Sequence, residues 1–208
     1  MFNIELFVLF VIASLTLAFS PGPAMMYVFS RTISGGKKAG IVSTLGASIG
    51  GLCHVFFAGV GLSLLVVETP WILIVFKYIG AAYLLYLGGT MFMKSKKLMS
   101  SKPKVEDILD LKSVFFQGIL AELLNPKTAL FILAFIPQFI SNPETHYVSK
   151  FLLYGFLVVL FNSIPDFIIA FFAGPSLGKL MKKEKFFLVQ NIISGMILIS
   201  LSIVMVLT

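Results

Sequence analysis

The chain has 208 residues, of which 58% are hydrophobic and 12% are charged, and its mean hydropathy is +1.01. This composition is far more apolar than that of a soluble globular domain and indicates an integral membrane protein. The formal net charge of +7 comes from cations confined to particular loops, so it does not indicate a nucleic acid partner. A single cysteine, Cys53, excludes an internal disulfide and a metal site built from several cysteines.

Six apolar segments are long enough to cross about 30 Å of hydrocarbon. They cover residues 4–29, 39–66, 71–93, 113–140, 151–174 and 186–207. The longest polar stretch, residues 94–112, is too short to bury a core of its own. The sequence therefore predicts an all-α polytopic protein with one transmembrane domain over residues 1–208, in which halves 1–93 and 113–208 are joined by the cytoplasmic linker 94–112. The N-terminus lacks the basic region and cleavage site of a signal peptide, so the first segment is expected to remain.

Lys and Arg are concentrated in alternate connections between these segments. The first, third and fifth connections hold thirteen of the sixteen cations. These are Arg31, Lys37, Lys38, Lys94, Lys96, Lys97, Lys102, Lys104, Lys112, Lys179, Lys182, Lys183 and Lys185. Because cationic loops stay in the cytoplasm, we predict a multi-pass membrane protein with both termini on the outer face.

Two proline motifs interrupt otherwise apolar segments. The first break is Ser20-Pro21-Gly22-Pro23 in the first segment, and the second break is Asn125-Pro126-Lys127 in the fourth. Proline removes a backbone donor and clashes with the preceding turn, so each motif opens a helix and frees backbone polar groups. Such groups persist at membrane depth only where they line a protein-enclosed or watery cavity. Two breaks at matching positions of two halves point to a transporter's binding site, so these seven residues are the predicted substrate site.

The two halves carry a sparse internal repeat. Phe57-Ala58-Gly59 recurs as Phe172-Ala173-Gly174 and Gly80 recurs as Gly195, both at an offset of 115 residues, whereas Pro21 and Pro126 are 105 apart. A longer connection between the fourth and fifth segments accounts for the difference. Because each half has three spans, the second half is inserted upside down relative to the first. We predict two inverted three-helix repeats with proline-broken helices 1 and 4, the plan of many secondary transporters.

Apart from Glu5 and Lys77, which lie near the ends of their segments, the charged or titratable residues inside predicted spans include His54, Glu122, Lys127 and Asp166, and each is by default a candidate functional group. Pro165 predicts a third helix distortion that presents Asp166, the leading candidate for a coupling proton or a substrate ammonium; an ion pair with Lys127 is the alternative. Lys127, at the start of a new half-helix, suits a substrate carboxylate, or else it snorkels to an interface or neutralises a carboxylate. His54 and Glu122 are further proton-coupling candidates. A packing role for His54 stays open, and so does the role of Glu122.

Other classes of site lack a signature. No further His, Cys or carboxylate is spaced to complete a metal site, and no nucleophile motif such as Gly-x-Ser-x-Gly is present. Gly35-Gly36-Lys37-Lys38 lacks the spacing of a phosphate-binding loop and is interpreted as a cytoplasmic turn. We therefore expect a transporter rather than an enzyme, with no metal and no cofactor.

Motifs along the chain also match a known family in their order. The first half contains Ser20-Pro21-Gly22-Pro23, Gly35-Gly36-Lys37-Lys38-Ala39-Gly40, Leu45-Gly46-Ala47-Ser48-Ile49-Gly50 and the stretch from Lys77 to Gly88. The second half contains Phe116-Gln117-Gly118, the stretch from Leu124 to Phe131, and Phe135-Ile136-Pro137-Gln138-Phe139. Over essentially its whole length the chain closely resembles the lysine exporter (LysE/RhtB) family of amino acid exporters.

The resemblance implies a secondary exporter of amino acids or close derivatives in the bacterial inner membrane, driven by the proton gradient. Glu122 departs from the family, whose members often carry a neutral polar residue there. The expected mechanism places the substrate carboxylate on the amides of Gly22 to Ala24 and Lys127 to Ala129, aided by the Lys127 charge. Asp166 then holds the ammonium or the coupling proton.

The expected partners are an amino acid-like solute, protons and the lipid bilayer, with no nucleic acid. A homo-oligomer stays open. The alternatives are a metal or other cation exporter of related fold, a passive channel and a membrane-embedded enzyme.

Overall fold

Helices make up nearly all of the described part of the chain, which in this computed structural model comprises residues 4–68, 71–94, 110–140, 147–172 and 184–207. Seven α-helices and one short 3₁₀ helix lie in these ranges, and the ranges contain no strand. The α-helices are α1 (Ile4–Phe19), α2 (Pro23–Glu68), α3 (Ile72–Lys94), α4 (Leu111–Leu123), α5 (Pro126–Phe135), α6 (Tyr147–Phe172) and α7 (Glu184–Leu207), and the 3₁₀ helix is Ile136–Phe139. The all-α prediction is confirmed.

Both proline motifs interrupt helices as predicted. α1 ends just before the first break and α2 begins at its last residue, Pro23. α4 ends at Leu123, and α5 begins at Pro126 in the second break; the chain bends there by 51°. Proline suits the first position of a helix because the amide that it lacks would be unpaired there. Each break therefore ends one helix and starts the next within an apolar stretch.

The sequence predicts two further irregularities, at residues 35–38 and at Pro165. The turn predicted over residues 35–38 is a single non-helical residue, Gly36, whose φ of 73° and ψ of −172° divide α2 into a 23–35 arm and a 37–68 arm. Glycine adopts a positive φ without the steric penalty of a side chain, so one residue suffices. α6 is one helix with Pro165 inside it, so the distortion predicted at Pro165 does not end the helix.

Gly46 and Gly50 stand four residues apart, the small-xxx-small pattern of close helix contact, so the sequence predicts a central position for this segment. The 37–68 arm lies in the middle of the bundle, between α4 and α6. Gly46 and Gly50 face α4 so closely that a Cβ added at Gly50 would lie 2.7 Å from the Ile119 carbonyl oxygen. On the opposite side the arm meets α6, where a Cβ on Gly51 would lie 3.0 Å from Val159 Cγ2. Small residues let backbones approach in this way inside membranes.

An aromatic cluster ties α1 to the second half of the chain. The Phe10 ring lies 5.4 Å from that of Phe139 and 4.9 Å from that of Tyr154, both in edge-to-face geometry. Phe10 is fully buried, and such ring pairs add to the stabilisation from burial. This cluster packs α1 against α6 and against the 3₁₀ helix that follows the second break.

The outer faces of the helices are apolar. On α6, Leu153, Phe156, Leu160 and Ile164 are exposed at the spacing of one helix face. Within the described ranges, α6 and Pro23–Leu62 of α2 are long and apolar enough to cross a membrane, and the bent pair α4–α5 adds a third if it counts as one span. A surface of this kind is suited to lipid, and the chain is a membrane protein. The linker 95–109, the connection 141–146 and residues 173–183 lie outside the described residues.

Candidate functional site

A cavity lies where the two breaks meet α6 and the 37–68 arm. Its polar lining residues are Ser48, Glu122, Asn125, Lys127, Thr128, Asn162, Ser163 and Asp166, and its apolar ones are Ala18, Gly22, Ala24, Met25, Ala47, Gly51 and Val159. The space open to the centre of a water molecule is about 30 Å³, room for roughly two waters. In this conformation the cavity is small, and polar and charged side chains stand among apolar ones in its lining.

Lys127 joins the two breaks. Its ammonium nitrogen donates to the carbonyl oxygens of Leu17 at 2.9 Å and Ser20 at 2.6 Å. The last carbonyls of a helix have no partner within it, and a cation is favoured there by the helix dipole. Gly22 leaves room for this contact, since a Cβ at that position would lie 3.2 Å from Lys127 Cε and Nζ. The ammonium is therefore hydrogen-bonded to backbone carbonyls at and just before the first break, and it does not extend to an interface.

Asn125 organises the second break. Its side-chain oxygen accepts from the backbone N–H of Lys127 at 3.1 Å, as an N-cap residue does. The Lys127 amide, expected to hold a substrate carboxylate, is therefore already paired. The Asn125 amide nitrogen donates to Glu122 Oε2 and to Thr128 Oγ1, each at 3.0 Å.

Glu122 and His54 lie side by side at the end of α4. The Glu122 carboxyl is buried and lines the cavity, and its hydrogen bond to Asn125 gives it a place in the second break. His54 Nε2 lies 2.9 Å from the Glu122 backbone oxygen, which can only accept, so this nitrogen donates. His54, on the 37–68 arm, thus donates a hydrogen bond to the end of α4. It is not a lining residue of the cavity.

Asp166 presents an unpaired oxygen. The residue is only 8% exposed, and its Oδ1 has no hydrogen-bond partner in the described structure. Asn162, one turn earlier on α6, also has an unpartnered Oδ1. Buried polar atoms are nearly always hydrogen-bonded, so two unpaired acceptors on one cavity wall mark a place for a donor.

Two serines meet across the cavity wall. Ser48 Oγ and Ser163 Oγ are 2.8 Å apart, joining the 37–68 arm to α6. Sequence reasoning did not select these serines or Asn162 as site residues, and for Thr128 it named only the backbone amide. The signal that was available is that Asn162-Ser163 stands just before Pro165 in a predicted span, where polar side chains are costly.

The structure brings five of the ten predicted site residues to the cavity: Gly22, Asn125, Lys127, Glu122 and Asp166. Ser20 is fully buried and contributes its carbonyl to Lys127. The three prolines and His54 lie outside the lining; the prolines shape the helix ends. In the ranges that the structure covers, no group of three or more His, Cys, Asp or Glu side chains is placed to hold a metal ion.

Comparison with known proteins gives one family and several relatives. The family model described as LysE type translocator matches residues 15–208. The "Uncharacterized membrane protein YrhP" of Bacillus subtilis is 33% identical over 194 residues, covering 88% of this chain and 90% of that protein. The "Leucine efflux protein" of Salmonella typhimurium is 30% identical over 147 residues, covering 69% and 68%. An "Uncharacterized membrane protein" of Vibrio cholerae is 27% identical over 165 residues, covering 79% of each. No solved structure matches the chain.

Proposed function

The chain belongs to the LysE type translocator family, and we propose that it exports an amino acid through the cavity between its two breaks, with leucine the first substrate to test. Amino acid efflux is the function supported at the level of the family, and leucine is named for the Salmonella relatives. These relatives are about a third identical to the chain or less, so leucine is a proposal.

One observation carries the proposal: charged side chains meet at a small cavity inside an apolar bundle. Glu122, Lys127 and Asp166 all line it, and intramembrane charges are retained where they serve a substrate or ion path. The cavity lies at the junction of two interrupted helices, the arrangement in which transporters bind substrates at the midplane. We propose that residues of both breaks form the substrate site, as the motifs suggest.

We further propose that six spans are arranged as two inverted halves. The contacts between the 37–68 arm and α6 support this. At an offset of 115 residues, Ser48 corresponds to Ser163, and these hydroxyls touch, as equivalent residues do beside a two-fold axis. Gly40 packs on Ala170, while their equivalents, Gly155 and Val55, also pack on each other.

The orientation and the energy source are also proposals. The distribution of cations favours cytoplasmic placement of the first, third and fifth connections in the inner membrane. We propose that export is driven by proton entry, with Asp166 as the leading coupling group because it is buried in the cavity wall, and with Glu122 and His54 as the other candidates. A proton on Asp166 would weaken its hold on a substrate ammonium.

Efflux from proteoliposomes tests the proposal. Purified protein is reconstituted with labelled leucine inside, and efflux is followed with and without an imposed pH gradient, with protein-free liposomes as the control. We expect protein-dependent efflux of leucine that is faster when the pH gradient drives protons inward. An efflux rate that is the same with and without the pH gradient would contradict proton coupling. The absence of efflux for leucine and for other amino acids would contradict the proposed function.

A further inference from the structure

The unpaired polar atoms identified on the cavity wall are acceptors. They are Asp166 Oδ1 and Asn162 Oδ1, and both residues line the cavity. Asp166 is more than nine-tenths buried, so water does not stabilise its carboxylate as it would at a surface. A ligand that donates hydrogen bonds and carries positive charge would satisfy both atoms.

Apart from the amide nitrogen of Asn162, which belongs to the same subsite, the side-chain nitrogen donors of the lining are bound to the protein. The Lys127 ammonium holds the carbonyls of Leu17 and Ser20. The Asn125 amide nitrogen donates its two hydrogens to Glu122 and Thr128. A substrate carboxylate would therefore have to displace existing hydrogen bonds to reach either donor.

The serine hydroxyls are engaged in the same way. Ser48 Oγ donates to the Thr44 carbonyl at 2.9 Å, and Ser163 Oγ donates to the Val159 carbonyl at 2.8 Å. Each hydroxyl has one hydrogen, and the two groups also share a contact with each other. The serines offer lone pairs to a ligand more readily than they offer hydrogens.

The charged groups of the lining also favour a cationic ligand. Two carboxyl groups, Glu122 and Asp166, face one ammonium, Lys127, among the lining residues. The start of α2, where Ala24 and Met25 reach the cavity, supplies only the partial charge of a helix N-terminus, about half an elementary charge. A substrate carboxylate at this helix N-terminus would add affinity, but binding would not require it.

We propose that the cavity recognises its substrate through the ammonium group, held by Asp166 and Asn162, so that primary alkylamines lacking a carboxylate are also ligands. Small apolar residues, among them Ala18 and Ala47, also line the cavity. The side chain of the ligand therefore needs no polar group. This inference rests on the proposed export function for its substrate site and deepens it: the ligand class is the amine with an apolar chain, of which a neutral amino acid is one member.

Two compounds related to leucine separate its two charged groups. 3-Methylbutylamine keeps the side chain and the amino group, and 4-methylpentanoate keeps the side chain and the carboxylate. Each is added to the full-length protein in detergent, and the rise in unfolding temperature is measured as a sign of binding. Each is also tested as a competitor of labelled leucine exchange in proteoliposomes. Competition is measured because neutral amines cross bilayers unaided.

Variants locate the effect. Asp166→Asn keeps the size of the side chain and removes its charge, and it should weaken amine binding about tenfold or more. Asp110→Asn is the matched control, because Asp110 is exposed and caps α4, and asparagine caps equally well. If Asp166→Asn fails to fold, Asn162→Ala probes the same subsite from the neighbouring turn.

The outcomes separate this inference from the proposed function. Stabilisation and competition by the amine, with neither by the acid and with loss in the α6 variants, support it. Binding of the acid without the amine overturns it, as does leucine exchange that neither compound affects. If the amine binds through Asp166 but leucine is not transported, the ammonium subsite stands and the export of leucine fails.

Discussion

The ammonium nitrogen of Lys127 lies 2.6 Å from the carbonyl oxygen of Ser20, so a side chain from the second break closes the first. The same nitrogen also binds the Leu17 carbonyl at 2.9 Å. In the proposed arrangement these two breaks belong to opposite halves of the chain. Any rearrangement that separates the halves must lengthen or exchange these hydrogen bonds.

Lys127→Met should destabilise the protein. It leaves the Leu17 and Ser20 carbonyls without this donor in a region where both residues are fully buried, and losing such a partner costs about 1–3 kcal/mol. The measurement is the unfolding temperature in detergent. Lys38→Met, at an exposed position, removes the same charge and should leave that temperature nearly unchanged. Equal unfolding temperatures for the two variants would show that the bridge contributes nothing.

Two glycines of the 37–68 arm should respond oppositely to alanine. At Gly50 an added Cβ would lie 2.7 Å from the Ile119 carbonyl and 2.9 Å from Glu122 Cβ, so Gly50→Ala pushes α4 away and should cost about 1–3 kcal/mol. At Gly61 nothing lies within 4 Å, and Gly61→Ala should stabilise the helix by up to about 1 kcal/mol. Unfolding measured by denaturant titration checks the signs; a stabilising Gly50→Ala would contradict the close packing.

Asn125→Asp should impair export more than it changes the helix. The carboxylate can still cap the Lys127 amide, but it cannot donate to Glu122 Oε2, and two carboxylates would then face each other at hydrogen-bond distance. Like charges in a buried site repel strongly. Export rate at matched protein amount is the readout, with Glu122→Gln as the companion variant. We expect Glu122→Gln added to Asn125→Asp to restore part of the lost rate, and no restoration would place the defect elsewhere.

The sequence located the breaks because their signals are local. Proline and the N-cap asparagine act on the turn in which they stand, so the ends of α1 and α4 followed from residues 20–23 and 125–127. The central position of the 37–68 arm followed from Gly46 and Gly50 for a similar reason: only small residues permit such approach.

Long-range pairings were beyond local reasoning. The partners of Lys127 are carbonyls about a hundred residues earlier in the chain, and no residue type marks a carbonyl as an acceptor. Sequence reasoning therefore did not identify backbone oxygens as hydrogen-bond partners of the Lys127 ammonium. Likewise the contact between Ser48 and Ser163 requires the register of two helices, which spacing within one helix does not supply. Pro165 predicts a distortion of α6, and the structure keeps α6 as one helix with this proline inside it.

Cysteine labelling tests the orientation predicted from the cations. In a Cys53→Ala background, Trp71→Cys should react with an impermeant thiol reagent added to whole cells, because Trp71 is exposed at the start of α3 on the predicted outer side. Lys38→Cys and Asp110→Cys, on the predicted cytoplasmic side, should react only after the membrane is permeabilised. The opposite labelling pattern would invert the proposed topology.

Substrate protection of a cysteine in the cavity tests most directly whether the amino acid passes there. Ala47 lines the cavity and is 6% exposed, so Ala47→Cys in the Cys53→Ala background should react with a small alkylating reagent when the cavity opens during transport. Leucine should slow this reaction, and alkylation should block leucine efflux. Gly61→Cys, which faces open space on the same helix arm, should be alkylated at a rate that leucine does not alter. Full leucine efflux after complete alkylation at position 47, without protection by leucine, would contradict the account.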